Sequence, residues 1–263
     1  MLNVLISIIR HGQTDCNARG VLQGQMETSL NSTGREEAEK LGARLKNQRF
    51  THIYSSNLER AVDTARLVLG HNVATADEAK DSIVFDARLR ERSFGDYEGK
   101  PKEELAARHA AAAKEKDYPG KRHFVPENGE STAEVYARAR EFLIEICLAI
   151  GNEKKKADTV EDDDVSVLIS THGGVAIELF AFLVKELHCP PPNGKSASRM
   201  IAIPGNTALS TFRVTLNLED VVRRELTEVV SRPAYLFADC ACLTIHDRSH
   251  CENEAQNEVE KTG

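Results

Sequence analysis

The chain has 263 residues, 41% of them hydrophobic, enough to bury a full core without disulfides or structural metals. It carries 34 Lys and Arg against 41 Asp and Glu, a formal net charge of −7. No global field therefore attracts nucleic acid or a lipid surface, and an anionic ligand needs a local basic pocket.

Residues 1–9 are apolar but lack the basic stretch and small-residue cleavage site of a signal peptide. They predict a first buried strand centred on residues 5–9. Thr33, Gly34, Arg35 and Glu36 have capping-box spacing and predict a helix to about Gln48. Residues 53–56 predict a short strand. Apolar residues at 58, 61, 62, 65, 68 and 69 then mark one face of a helix ended by Gly70. A second capping box, Ser131 to Glu134, opens a helix whose apolar stripe runs from Val135 to Ile150.

Residues 151–164 hold three lysines and then a run of acids, and predict a charged, solvated loop. Residues 165–169 predict a β-branched strand and 174–187 a mostly buried helix. Glu178 and Lys185 break the apolar run of that helix, so nothing here is long and apolar enough to span a bilayer. Residues 208–214, 224–230 and 241–245 predict later strands, the second polar enough for an edge. Residues 247–263 read as a polar, frayed tail. The alternation of strands and helices predicts one α/β domain over residues 1–246, a sheet covered by helices on both faces.

Six scattered cysteines without an export signal read as reduced thiols of a reducing compartment. Cys240, Cys242, His246, His250 and Cys251 have spacing that can hold zinc. No second Cys-x-x-Cys pair supports a closed site, so the favoured reading is a strand with both thiols on one face, and no metal.

Strand one runs directly into Arg10, His11 and Gly12. In an open α/β sheet ligands bind beyond the carboxyl ends of strands. Arg60 falls in the first turn of the helix after the second strand, near the same edge. The strand at 165–169 runs into Ser170, Thr171, His172, Gly173 and Gly174, repeating the strand-His-Gly arrangement. Any one of these is an ordinary loop or surface pattern; together they mark a candidate site. Imidazole is partly neutral at pH 7, so it can attack phosphorus without a strong base to activate it.

Five motifs occur in order: Arg10-His11-Gly12-x-Thr14-x-x-Asn17, Ser55-Ser56-x-Leu58-x-Arg60-Ala61-x-x-Thr64-Ala65, Leu89-Arg90-Glu91-Arg92-x-Phe94-Gly95, Gly129-Glu130-Ser131 and His172-Gly173. From about residue 4 to 245 the chain resembles the histidine phosphatase superfamily, the phosphoglycerate mutase-like proteins. Leu22-Gln23-Gly24-Gln25, Arg88-Leu89-Arg90-Glu91-Arg92 and Arg122-His123-Phe124-Val125-Pro126 resemble the fructose-2,6-bisphosphatases within it. Mutases carry a longer proline-rich segment where this chain goes straight from Pro126 to Gly129, a departure that favours a phosphatase.

The resemblance implies a three-layer α/β/α sandwich with a mostly parallel sheet. It implies His11 as a nucleophile that becomes phosphohistidine, with Arg10, Arg60 and His172 around the transferring phosphoryl group. Asn17, Gln23 and Gly173 would contact the same oxygens, and Glu91 would protonate the departing sugar oxygen. An ordinary Glu, with a pKa of about 4.3, is ionised at pH 7, so burial or the phosphate's charge has to raise it. Arg92, Lys100, Lys102, Lys121 and Arg122 are candidate cations for a second phosphate, Lys121 and Arg122 foremost by similarity.

The implied reaction converts fructose 2,6-bisphosphate to fructose 6-phosphate, which would lower glycolytic flux, without a cofactor. Hydrolysis of 2,3-bisphosphoglycerate or other small phosphoesters is the alternative, ahead of a protein phosphatase or a regulatory binding protein. The implied partner is a small phosphorylated sugar or glycerate, with no nucleic acid and no stable membrane insertion. The implied location is the cytoplasm, with the nucleus or mitochondria open by resemblance alone.

Overall fold

Apolar residues on both faces make β1 (Leu2–Arg10) a central strand, buried throughout from Ile6 to Ile9. The computed structural model describes every residue except 76, 78–80, 157–164, 193–195, 222–225 and 252–263. In chain order β1 is followed by α1 (Ser32–Arg44), β2 (His52–Ser55), α2 (Glu59–Gly70) and β3 (Val84–Phe85). Then come α3 (Lys102–Ala112), α4 (Thr132–Lys156), β4 (Val165–Thr171), α5 (Gly173–Lys185), β5 (Leu209–Leu216) and β6 (Phe237–Asp247). Shorter helical turns join them.

The six strands form one sheet in the order β3-β2-β4-β1-β5-β6. β3, β2, β4 and β1 are parallel, whereas β5 runs antiparallel to both its neighbours. Alternate side chains feed two cores. Val4, Ile6, Ile8, Val165, Val167 and Ile169 pack with Phe142, Leu143, Leu179 and Phe180 of α4 and α5. Ile9 and Leu168 face the other way, onto Leu41, Val68 and Leu69 of α1 and α2. The result is the three-layer α/β/α sandwich with a mostly parallel sheet. No described helix is long and apolar enough to cross a membrane.

Several boundaries differ from the sequence reading. α1 is capped by Asn31, whose side chain accepts the Gly34 N–H at 2.9 Å, so the Thr33 box is not the start. The Ser131 box does form, with the hydroxyl accepting from Glu134 N and the carboxylate accepting from Ser131 N. Residues 151–156, expected as loop, extend α4. Its last turn carries Lys154, Lys155 and Lys156, cations that suit a helix C-terminus. The rest of that insertion lies outside the described residues.

The strand expected at 224–230 is replaced by a helix, Leu226–Ser231. Leu226, Val229 and Val230 have the i, i+3, i+4 spacing of one helix face, and 224–225 lie outside the described residues. The tail expected from residue 247 begins docked rather than frayed. Asp247 accepts from Arg44 at 2.5 Å, Arg248 pairs with Glu37 at 2.7 Å, and Ser249–Cys251 form a helical turn. Residues 252–263 lie outside the described residues.

Candidate active site

The parallel register of β1 and β4 sets Arg10 beside Thr171, and His11 N–H donates to the Thr171 carbonyl at 2.9 Å. The two His-Gly pairs therefore leave neighbouring strands at the same edge. Their rings lie with centroids 5.2 Å apart, and both are essentially buried. β2 adds Ser56 and α2 from the other side of β4. Ser56 N–H donates to Ser170, and the Ser56 hydroxyl meets His172 Nε2 at 2.8 Å.

One helical turn apart on α2, two residues serve the same loop. Arg60 enters the site, and Thr64 Oγ1 accepts the Gly12 N–H at 2.9 Å while donating to the Arg60 carbonyl. Gly12 is required here: a Cβ would stand 2.3 Å from the Gly34 carbonyl oxygen of α1. Gly34 in turn leaves no room for a side chain against Gln13. Mutual glycine contact thus seats the loop on α1.

Arg10, His11 and Arg60 line a cavity of about 620 Å³ together with Asn17, Gln23, Gly24, Glu91, Gly173 and Gly174, and His172 lies just behind its wall. His11 Nδ1 lies 2.7 Å from the Gly12 carbonyl. A carbonyl only accepts, so Nδ1 carries the hydrogen and Nε2 of the neutral ring keeps its lone pair. Burial, then Arg10 and Arg60, hold the His11 pKa well below its usual value. His172 is likewise held well below, by burial and then Arg60, His11 and Arg10. The lowered pKa favours the neutral, hydrogen-bonding form of the His172 ring in the free protein. Arg10 and Arg60 are themselves lowered by burial, with Glu91 opposing, yet guanidinium stays protonated.

Arg60 is anchored by the carbonyls of Met26 and Gly24, at 2.8 and 2.7 Å, and Arg10 by Pro204 at 2.7 Å. Even so, Arg10 Nε, Arg60 Nε and His172 Nδ1 are buried without a hydrogen-bond partner among the described residues. An unsatisfied buried donor costs about 1–3 kcal/mol. Two guanidinium N–H groups in this state suit an anion, and His172 Nδ1 joins them as a donor when the ring carries a hydrogen there. The α5 N-terminus begins beside them at Gly173, adding its positive dipole end.

Gln23 accepts from the hydroxyls of Thr14 and Thr28, at 2.9 and 2.6 Å, which leaves its amide N–H groups as the donors it can offer. Asn17 accepts from Thr14 N–H and from Asn206, each at 3.2 Å. Glu91 is gripped at both oxygens: Oε1 accepts from Arg92 N at 2.8 Å and Oε2 from Gly174 N at 3.0 Å. A Cβ on Gly174 would lie 2.4 Å from Glu91 Oε1, so the second glycine makes room for the carboxyl.

The candidate second-phosphate cations separate. Lys102 and Lys121 line the cavity and are exposed. Arg122, expected with Lys121, is not on the cavity wall. It pairs with the buried Glu178 at 3.2 Å and stacks over Tyr136 at 4.5 Å, because Glu178 offers the nearer counter-charge. Lys100 sits over Tyr97; Arg92 also lines the cavity, but its guanidinium is engaged by the carbonyls of Glu130 and Phe124.

Sequence reading missed Asn206 and Thr207. Asn206 donates to the His11 carbonyl at 3.0 Å, and Thr207 N–H to the Arg10 carbonyl at 3.1 Å. Because β5 is antiparallel, its start lies at the edge where β1 ends; the turn signal in Pro204, Gly205 and Asn206 was the available clue. The residues weighed for zinc have other partners. Cys240 and Cys242 are buried in the core, His246 Nε2 donates to the carbonyls of Arg199 and Met200, and His250 Nε2 meets Thr207 Oγ1. Among the described residues no group of three or more His, Cys, Asp or Glu is placed to hold a metal.

The profile of the histidine phosphatase superfamily (branch 1) matches residues 6–223. The chain is 31% identical to fructose-2,6-bisphosphatase TIGAR B of Danio rerio over 85% of this chain and 91% of the relative. It is 33% identical to the glucosyl-3-phosphoglycerate phosphatase of Mycobacterium tuberculosis over 68% of this chain and 74% of that protein. The solved structure of a mycobacterial glucosyl-3-phosphoglycerate phosphatase superposes with a TM-score of 0.60 at 27% identity, covering 82% of this chain and 94% of that one.

Proposed function

The chain belongs to the histidine phosphatase superfamily and is a phosphatase, and on that premise we propose that it hydrolyses fructose 2,6-bisphosphate to fructose 6-phosphate through a phosphohistidine on His11. The carrying observation is the division of the cavity: Arg10, His11 and Arg60 lie with unpartnered donors among them, while Lys102 and Lys121 supply separate, exposed cations. One phosphate meets the first group and the second meets the lysines, an arrangement suited to a small bisphosphate.

In the first step the His11 Nε2 lone pair forms the N–P bond as the P–O bond to the sugar C2 breaks. Arg10, Arg60 and the α5 N-terminus take up the charge on the three equatorial oxygens. The dianion also favours protonation of His172, whose buried Nδ1 has no protein partner. Glu91 passes its proton to the departing sugar oxygen. In the second step the Glu91 carboxylate takes a proton from water, which displaces His11 from phosphorus and releases inorganic phosphate.

A panel of fructose 2,6-bisphosphate, fructose 1,6-bisphosphate, 2,3-bisphosphoglycerate and phosphoenolpyruvate tests the substrate. The highest kcat/KM is expected for the first, and the Lys102→Ala, Lys121→Ala double variant should raise KM for it about tenfold or more while sparing a monoester. A clear preference for 2,3-bisphosphoglycerate, or no effect of the double variant, overturns the assignment. Since protein cations carry the phosphoryl charge, activity is expected to survive excess EDTA. Complete loss restored by Mg²⁺ or Zn²⁺ would refute this charge arrangement.

A further inference from the structure

Three backbone carbonyls converge on one guanidinium behind Glu91. Arg138 Nη1 donates to the carbonyls of Arg88 and Arg90, each at 2.6 Å, and Nη2 donates to the Glu91 carbonyl at 3.2 Å. The same guanidinium meets both oxygens of Glu130, each at 3.0 Å, and is 16% exposed. The negative ends of three carbonyl dipoles aimed at one point repel each other unless a cation sits there. Only the planar fork of Arg has enough donors, in the right directions, to bind three carbonyls and a carboxylate together.

The placement follows from the start of α4. The Ser131 box fixes the first turn, and Arg138 comes two turns later on the face toward residues 88–91, while Glu130 immediately precedes the cap. Glu130 then ties the far side of the loop. Its Oε2 accepts from Ser93 N at 2.9 Å, and its carbonyl accepts from Arg92 Nε at 2.7 Å. Gln25 Nε2 adds a bond to the Glu91 carbonyl at 3.1 Å, and Thr171 Oγ1 one to the Leu89 carbonyl at 2.9 Å.

We propose that Arg138 is a positioning residue for Glu91: it fixes the backbone of residues 88–91 so that the Glu91 carboxyl meets Gly174 N–H and points into the cavity. The inference rests on the reading of Glu91 as the general acid. Arg138 is absent from the cavity lining, so its effect passes through the backbone. The hydrogen bonds that hold the phosphoryl-binding groups Arg10, Arg60 and His172 come from other partners, Pro204, Gly24, Met26 and Ser56; on His172 the Arg138 charge acts only at a distance, as a minor cause of its lowered pKa, and Arg138→Lys preserves it. A misplacement of about 1 Å can cost on the order of 10²-fold in rate.

A structural role and a positioning role differ in leaving-group dependence. Phenyl phosphate and 4-nitrophenyl phosphate share the phosphoryl group, but phenoxide is the stronger base and needs the proton more. Arg138→Lys keeps the charge but cannot span three carbonyls, and Arg138→Met removes both. Each should lower kcat for phenyl phosphate about 10–100-fold, and for 4-nitrophenyl phosphate several-fold less, with vanadate inhibition unchanged within about twofold.

Glu91→Gln, measured alongside, should show the same dependence, and combining it with Arg138→Lys should add little further loss. If Arg138→Met does not fold, Arg138→Lys and Glu130→Gln carry the comparison. Equal losses on both esters in the Arg138 and Glu130 variants, with Glu91→Gln still selective, overturn the role of Arg138 and leave the acid in place. Equal losses in Glu91→Gln overturn the acid assignment itself.

Discussion

Replacing His11 with alanine should abolish turnover, by about 10⁴-fold or more, together with acid-labile phosphate trapped on the protein. The ring that is lost carries a lone pair on Nε2, set by the Nδ1 hydrogen bond to Gly12, in an imidazole that burial and two guanidinium groups keep neutral. No other group stands ready in its place. His172 is 5.2 Å away between centroids, but its Nε2 is engaged by Ser56. The substitution leaves Arg10, Arg60 and the α5 N-terminus intact, so vanadate should still bind, which separates loss of the nucleophile from collapse of the site. Rapid-quench labelling with a ³²P-labelled substrate is the measurement. A phosphoenzyme that still forms in His11→Ala would move the nucleophile to His172.

How much of this was legible in the sequence depends on whether a signal is local. β1 and β4 read clearly because each is a short β-branched run that ends in His-Gly, and the topology then made them neighbours. The Ser131 box read clearly because both of its hydrogen bonds lie within four residues. α3 gave no periodic signal: among its residues only Ala112 is buried, so no apolar stripe exists to see. The Thr33 box and the strand at 224–230 misled because one local pattern fits two outcomes, and the Asn31 cap decided the first.

In the site, Arg10, His11, Arg60 and His172 were visible as residue types in motifs. What the sequence could not carry was the non-local part. Asn206 and Thr207 reach the His11 loop only because β5 is antiparallel, and Arg122 turns away only because Glu178 on α5 lies next to it. The charge of His172 was likewise out of reach, since burial by the whole fold sets it. Arg138 carries no local signal, because the three carbonyls that meet on it lie 47–50 positions earlier in the chain.

Glu91→Gln should separate the acid from the phosphoryl clamp. Glutamine keeps the side chain's length and, through its one amide oxygen, can still accept from Arg92 N or Gly174 N, the two bonds that orient the carboxyl, but it has no acidic proton to give. The step that expels the sugar alkoxide should therefore slow by about 10²–10⁴-fold, the usual contribution of general acid catalysis. The loss should shrink sharply for 4-nitrophenyl phosphate, whose weakly basic leaving group departs without protonation. His172→Ala gives the contrast. It removes a hydrogen-bonding ring beside His11 that, in the proposed mechanism, contacts the phosphoryl group, and every substrate shares that group. Its cost should thus be similar for the sugar phosphate and the aryl phosphate. The comparison needs kcat as well as kcat/KM, because a change confined to KM would report binding of the leaving group rather than its protonation. Losses of equal size on both substrates in Glu91→Gln would make the carboxylate an electrostatic or orienting group. The proton would then have to reach the sugar oxygen by another route, and His172, with its buried and unpartnered Nδ1, would be the next group to test.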